Sequence, residues 1–163
     1  MNYIALGYSA LLVLIDQVIK IIVMRVLAPV LSIPLIDGFF EFEYLENQGA
    51  AFGIFEDKTF ILVGVTAVVL AVGIVLLVLE KIKDTFLIWS IATVIGGGVG
   101  NLVDRIFRGF VIDYLKPTFI EFAVFNFADC CVVVGTILVM VYIIFFEGRK
   151  KKPSEGVAIN EQL

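Results

Sequence analysis

The sequence has no histidine among its 163 residues, and its two cysteines, Cys130 and Cys131, are neighbours in the chain. Zinc sites are built mainly from histidine and cysteine, and adjacent cysteines cannot link distant segments. A catalytic cysteine usually needs a histidine to activate it. We therefore expect no bound metal, no disulfide framework and no cysteine nucleophile.

Charge is also scarce, since only 17% of the residues are charged and 61% are hydrophobic, with a mean hydropathy of +1.06. Soluble domains are roughly half apolar. The net charge of -4 and the lack of a basic stripe argue against a nucleic-acid partner. The composition predicts one integral-membrane domain over residues 1–163.

Apolar runs long enough to span a membrane occur four times. About 20 helical residues cross the hydrocarbon core. The N-terminal run lacks the basic start and small-residue cleavage site of a signal peptide, so we interpret it as a retained helix. We predict an all-α membrane protein with spans at about Tyr3 to Leu27, Thr59 to Leu79, Phe86 to Val103 and Cys130 to Phe146.

Lysine and arginine in the flanks set the expected topology. With both termini cytoplasmic, six of these residues lie inside and five outside, and the compact "RKKK" block, residues 149–152, favours this orientation. The tail from about residue 149 is predicted to be disordered and cytoplasmic.

Two predicted outer segments have strand-like alternation. In "GFFEFEYLEN", the aromatic residues Phe40, Phe42 and Tyr44 alternate with Glu41, Glu43 and Leu45, which predicts a short strand with one apolar face. Gly49 and Gly53 are expected to bracket a turn after it. Similar alternation in "FVIDYL" and "FIEFAVFNF" completes a small extracytoplasmic sheet.

Several polar residues lie within or beside the spans. Asp16 and Lys20 are one helical turn apart, which favours a structural ion pair and leaves a catalytic role as the alternative. The glycines of "GGGVGNLVDR" indicate close helix contact, because a phosphate-binding loop would need a preceding strand and a lysine. Asn101 and Asp104 share a helix face. Arg105 is expected to pair with an acid, bind a lipid head group or substrate carbonyl, or snorkel to the interface.

Asp113 and Asp129 flank the fourth span on its outer side. Two carboxylates in a low-dielectric pocket cannot both ionise cheaply, so one acts as a base while the other donates a proton. Such a pair activates water against an amide. The alternative is that both acids are merely hydrated at the interface.

Five motifs together resemble the type II, or prolipoprotein, signal peptidase family of bacteria: "DQVIK", "NQGAAFG", "GGGVGNLVDR", "GFVIDY" and "FNFAD", in this order. The resemblance implies four transmembrane helices with cytoplasmic termini, an extracytoplasmic β-cradle and an aspartyl peptidase site at the outer face of the cell membrane. It also implies that Asp113 and Asp129 are catalytic. By the same resemblance, the site is lined or supported by Asn47, Gly49, Asn101, Arg105, Asn126, Asp16, Lys20 and Asp104. Tyr114 departs from the family, in which phenylalanine is usual.

The implied reaction is hydrolysis of the peptide bond before a diacylglyceryl-modified cysteine in a prolipoprotein, without a cofactor. The resemblance also implies membrane lipids as partners, inhibition by globomycin-type compounds and a monomeric enzyme. A transporter or proton-conducting bundle is the main alternative, but its path would need polar residues through the whole membrane thickness. A structural lipid-binding subunit would leave "FNFAD" and "VIDY" unexplained.

Overall fold

The computed structural model describes residues 1–49 and 59–146, and each of the four helices there is long and apolar enough to cross a membrane. A three-stranded sheet completes the described part. The predicted fold class is therefore confirmed, whereas Gly53 and the tail from residue 149 lie outside the described residues. The elements are, in order, α1 (Asn2–Val26), β1 (Ser32–Ile36), β2 (Phe40–Asn47), α2 (Thr59–Val78), α3 (Thr85–Phe107), β3 (Val111–Pro117) and α4 (Phe127–Phe145).

Two helices extend beyond the apolar runs that predicted them. α3 continues past Val103 to Phe107, because Asp104 is buried and bonded inside the protein and so does not end the helix. α4 begins three residues before Cys130, where the Asn126 side chain caps the helix and Asp129 completes a capping box. A span predicted from hydropathy stops at the first polar residue. The helix itself continues until its backbone hydrogen bonds are no longer formed.

α3 is the central helix, and its glycine run contacts all three others. A methyl group on Gly96 would lie 2.8 Å from Leu12 of α1, and one on Gly98 would lie 2.6 Å from Leu70 of α2. A methyl group on Gly97 would collide with the backbone of α4. Small residues permit this close approach of membrane helices, and the prediction of close helix contact is confirmed.

The sheet is antiparallel with β2 in the middle, so the strands predicted in "GFFEFEYLEN" and "FVIDYL" are confirmed. The prediction for "FIEFAVFNF" was wrong, because only Phe125 in it pairs, through an isolated bridge to Leu115. Residues 40–44 are all partly buried, so burial alone does not distinguish the two faces of β2. Lys116 of β3 forms ion pairs with Glu41 and Glu43, which partly cover the charged face. The sequence did not predict β1 as a strand of its own, since its residues are all exposed and include Pro34, which is tolerated at a sheet edge.

The two ends of the helix bundle differ in content. At one end, the Asn2 side chain donates a hydrogen bond to the Leu77 carbonyl across 2.7 Å, and the ring of Phe86 stacks on that of Phe146 at 6.0 Å. α4 carries the chain from Asp129 to this end over about 24 Å, at 1.5 Å per residue. The N-terminus, the α2–α3 connection and the end of α4 therefore lie opposite Asp129 and the sheet.

Candidate active site

Asp113 is held in β3 with both carboxylate oxygens bonded to side-chain amides. Its Oδ2 accepts a hydrogen bond from Asn47 Nδ2 at 2.8 Å, and its Oδ1 accepts one from Asn126 Nδ2 at 2.6 Å. Burial, with only 1% of the residue exposed, raises the pKa of Asp113 to about 6, the Asn47 bond opposes this rise, and the negative charge of Asp129 adds to it. Asp113 is therefore suited to keep a proton at a pH where a free aspartate has lost it.

Asp129 is fixed at the N-terminus of α4. Its Oδ2 accepts a hydrogen bond from the Asn126 backbone N–H at 3.0 Å, while its own N–H donates to Asn126 Oδ1 at 2.9 Å. Asn101 Nδ2 donates to Asp129 Oδ1 at 2.7 Å. Both oxygens thus accept hydrogen bonds, and a helix N-terminus favours negative charge. These contacts hold the Asp129 carboxylate in one orientation.

Two asparagines join the acids. Asn126 Nδ2 also donates to Asn101 Oδ1 at 3.1 Å, so a single amide contacts Asp113 and the partner of Asp129. Lys20 Nζ donates to the same Asn101 oxygen at 2.9 Å. Because an ammonium group is only a donor, this oxygen must face Lys20, which turns the Asn101 amino group toward Asp129. The structure therefore brings Asp113 and Asp129 together as the sequence predicts.

A cluster of buried charged side chains from α1 and α3 supports this arrangement, because one of them also bonds Asn101. Lys20 Nζ lies 2.9 Å from Asp16 Oδ2 and 2.8 Å from Asp104 Oδ2, and all three side chains are at most 1% exposed. The predicted Asp16–Lys20 ion pair is confirmed. The backbone N–H of Ile112 donates to Asp104 at 3.3 Å, so the cluster also holds β3 beside Asp113.

Sequence reasoning missed two members of this cluster. Gln17 Nε2 donates to Asp104 Oδ1 at 3.1 Å, and Arg108 donates to Gln17 Oε1 at 3.1 Å and forms an ion pair with Asp104. The spacing of Asp104 and Arg108, one helical turn, is a signal that predicts this pair once α3 is known to extend past Val103.

Arg105 and Gly49 form the side of the site nearest the loop after β2. Arg105 Nη2 donates to the Gly49 carbonyl at 3.1 Å, and the Gly49 N–H donates to Asn47 Oδ1 at 3.0 Å. The guanidinium is also near enough to interact electrostatically with Asp113 and Asp129. The sequence did not predict this contact with a carbonyl of the protein itself, and Arg105 lies within electrostatic reach of the acids without a salt bridge among the described residues.

A cavity of about 480 Å³ opens above the two acids. Its polar end is formed by the two aspartates with Asn47, Asn101 and Arg105, and an apolar wall continues from it along α4 and the segment before α4. The sequence did not predict the wall, which comprises Phe122, Ala123, Val124, Phe125, Cys130, Val132, Val133 and Val134, with Val111 of β3 beside them. The arrangement can hold a water molecule between two carboxylates beside an apolar ligand.

Comparison with known proteins agrees with this architecture. The family model for signal peptidase (SPase) II matches residues 8–145. The lipoprotein signal peptidase of Clostridium acetobutylicum is 40% identical over 141 residues, covering 85% of this chain and 92% of the relative. That of Clostridioides difficile is 39% identical, covering 86% and 95%. A bacterial membrane enzyme solved by the in meso method at 2.3 Å superposes with a TM-score of 0.80 at 25% identity over 93% of each chain. The chain therefore belongs to the signal peptidase II family of bacterial membrane peptidases.

Proposed function

We propose that this chain removes signal peptides from prolipoproteins by hydrolysing the bond before a diacylglyceryl-modified cysteine, with Asp113 and Asp129 as its catalytic pair. Membership of the signal peptidase II family supports the reaction. One observation carries the assignment of the pair: Asp113 and Asp129 are joined through Asn126 at the polar end of an otherwise apolar cavity.

The chemistry uses one proton shared by the two carboxylates. The ionised carboxylate takes a proton from a water molecule as the water oxygen attacks the scissile carbonyl carbon, and the protonated carboxylate donates its proton to the carbonyl oxygen. As the C–N bond breaks, the first carboxylate returns its proton to the leaving nitrogen. One hydroxyl of the tetrahedral intermediate gives its proton to the second carboxylate as the C=O bond re-forms, so the pair again holds one proton. Asn101, Asn47 and Asn126 hold the carboxylates in place throughout, so little reorganisation is needed in the transition state.

The apolar wall supports the proposed substrate class. A precursor held in the bilayer by its signal helix and acyl chains presents its scissile bond near the membrane surface. Phe122 and Val133 are among the apolar side chains that line the cavity where such a ligand would bind, and Arg105 at the polar end is placed to bind a backbone carbonyl. Globomycin-type inhibitors would occupy the same cavity.

We further propose that the site faces the extracytoplasmic side of the bacterial cell membrane, that both termini are cytoplasmic, and that the enzyme acts as a monomer among membrane lipids. The position of the N-terminus and of the end of α4 opposite Asp129 supports this orientation. A reporter fused after Lys152 should be cytoplasmic and one inserted near Asp57 should be outside; the reverse pattern would contradict the orientation.

Cleavage of a diacylated precursor and its unlipidated twin by the purified protein tests the function. Wild type should cut the diacylated form, and the other form poorly or not at all. Asp113→Asn and Asp129→Asn should each abolish cleavage, and the double variant should be no worse, because groups that act as a unit lose their function together.

The matched control is Asp37→Asn, which changes an exposed carboxylate in the turn between β1 and β2. It should cleave at the wild-type rate. Substantial turnover by Asp129→Asn, at an amount of folded protein equal to wild type, would exclude the proposed pair.

A further inference from the structure

Tyr114 directly follows Asp113 in β3, and its side chain reaches the start of α4. The residue is 4% exposed, and its hydroxyl oxygen accepts a hydrogen bond from the backbone N–H of Phe127 at 3.2 Å. Phe127 is the first residue of α4, so its N–H is one of the donors that a helix cannot satisfy internally. Tyr114 therefore supplies an N-terminal cap from a different element.

This bond extends a short ladder between β3 and the segment before α4. The N–H groups of Tyr114 and Leu115 donate to the Phe125 carbonyl at 3.1 Å and 2.8 Å, and the Phe125 N–H donates to the Leu115 carbonyl at 3.0 Å. Any residue could form these backbone bonds, whereas the bond to Phe127 depends on the phenolic oxygen. It joins the residue after Asp113 to the residue two before Asp129.

We propose that Tyr114 is a positioning residue that fixes the spacing of Asp113 and Asp129 by tying the N-terminus of α4 to β3. This inference rests on the proposed role of the two aspartates. Burial raises the pKa of the Tyr114 phenol, so the hydroxyl stays neutral and the bond persists across the pH range of the reaction.

Loss of the hydrogen bond between Phe127 and Tyr114 should change how strongly the titration of Asp113 depends on the charge of Asp129. When two carboxylates share a proton, their mutual repulsion sets the separation of the two limbs of the pH–rate profile. A wider or more variable spacing weakens the repulsion, so the alkaline limb should move to lower pH. The backbone ladder and the Asn126 bond do not depend on the hydroxyl, so catalysis should persist in its absence with reduced efficiency.

The test is Tyr114→Phe in the full chain, assayed in detergent on a diacylated precursor. We expect kcat to fall about fivefold, as for loss of one hydrogen bond, with KM within about twofold of wild type. The alkaline limb of the profile should shift to lower pH, and hydrogen exchange of the amides at residues 127–130 should become faster.

Tyr8→Phe is the matched control, because it also removes a hydroxyl that accepts one hydrogen bond, here from Thr93 Oγ1 at 3.4 Å near the opposite end of the bundle. It should leave the profile unchanged. An unchanged kcat and profile in Tyr114→Phe, unchanged exchange at residues 127–130, or equal effects in both variants would overturn the proposal. Failure of the proposed function is distinguishable, because wild type would then lack cleavage or Asp113→Asn would retain it.

Discussion

The side-chain amide of Asn126 donates a hydrogen bond to Asp113 across 2.6 Å while its oxygen caps the helix that carries Asp129. Asn126 is fully buried, and its amino group is shared with Asn101. Its oxygen and nitrogen thus have fixed partners, so the amide cannot rotate without breaking several bonds. One small side chain therefore sets the environment of both acids.

The first prediction concerns pH. The proposed active form holds one proton between Asp113 and Asp129, so kcat/KM should fall at low pH, where both are protonated, and at high pH, where both are charged. Because the pKa of Asp113 is raised to about 6, the alkaline limb should lie near pH 6 instead of near 3.8. Initial rates from about pH 2.5 to about pH 9 measure both limbs. A profile that stays flat through pH 6 would contradict the shared proton.

The second prediction concerns Lys20. Lys20→Met keeps most of the side-chain length but leaves the buried carboxylates of Asp16 and Asp104 without their shared cation. Removing one partner of a buried ion pair reduces the free energy of unfolding by about 3 kcal/mol or more. The apparent melting temperature in detergent should therefore fall clearly. Lys83→Met, at an exposed position between α2 and α3, is the control and should melt like wild type. Equal melting temperatures of the two variants would show that the cluster is not stabilising.

The third prediction concerns Gly100. A methyl group there would lie 2.7 Å from Asp16 Oδ2 and 3.3 Å from Ala128 Cβ, so Gly100→Ala should separate α3 from α1 and α4. Overpacking of this kind destabilises by about 1–3 kcal/mol. Gly64→Ala is the matched control, because nothing lies within 4 Å of the added methyl group, and alanine is the better helix former by about 1 kcal/mol. The two variants should shift the melting temperature in opposite directions, and a shift of the same sign in both would contradict the packing argument.

The fourth prediction concerns Cys130. It distinguishes a chemical role of the thiol in catalysis from its mere location in the cavity. Cys130 lines the cavity beside Asp129, whereas Cys131 is buried under α3. Cys130→Ser should retain most of the activity, because the sequence contains no histidine to activate a thiolate. Alkylation of the wild type should block cleavage by filling the cavity, and Cys130→Ser should resist it. Loss of activity in unmodified Cys130→Ser would point to a chemical role for the thiol.

Much of the fold could be predicted because individual sequence patterns were each sufficient to identify an element. Apolar runs of about 20 residues predict four helices, and alternation at Phe40 and Phe42 predicts β2. Asp16 and Lys20 predict their own ion pair from spacing within one helix. In each case the deciding interaction is local in sequence or set by the membrane.

The parts that sequence did not predict depend on contacts between distant segments. The start of α4 is an exception, because its capping box is local in sequence, at Asn126 and Asp129, and hydropathy does not detect it. Elsewhere, the burial of Asp104 against Lys20 carries α3 beyond Val103. The hydrogen bond from Phe127 to Tyr114 and the apolar wall beside Asp129 likewise join residues from different elements. Neither periodicity nor composition contains this information.

The sequence of α2 contains no charged residue, and much of its surface is exposed, which has a practical consequence. Its buried positions, Leu70 and Leu77, face the rest of the protein, while Val65, Val68 and Val72 are each more than half exposed. A fluorophore or spin label on one of these valines would not displace a packed neighbour, and none of the three valines lines the cavity. α2 is therefore a suitable place for a probe that measures the depth and tilt of the helix in the bilayer during turnover. Its exposed face, which carries these valines, can also be redesigned.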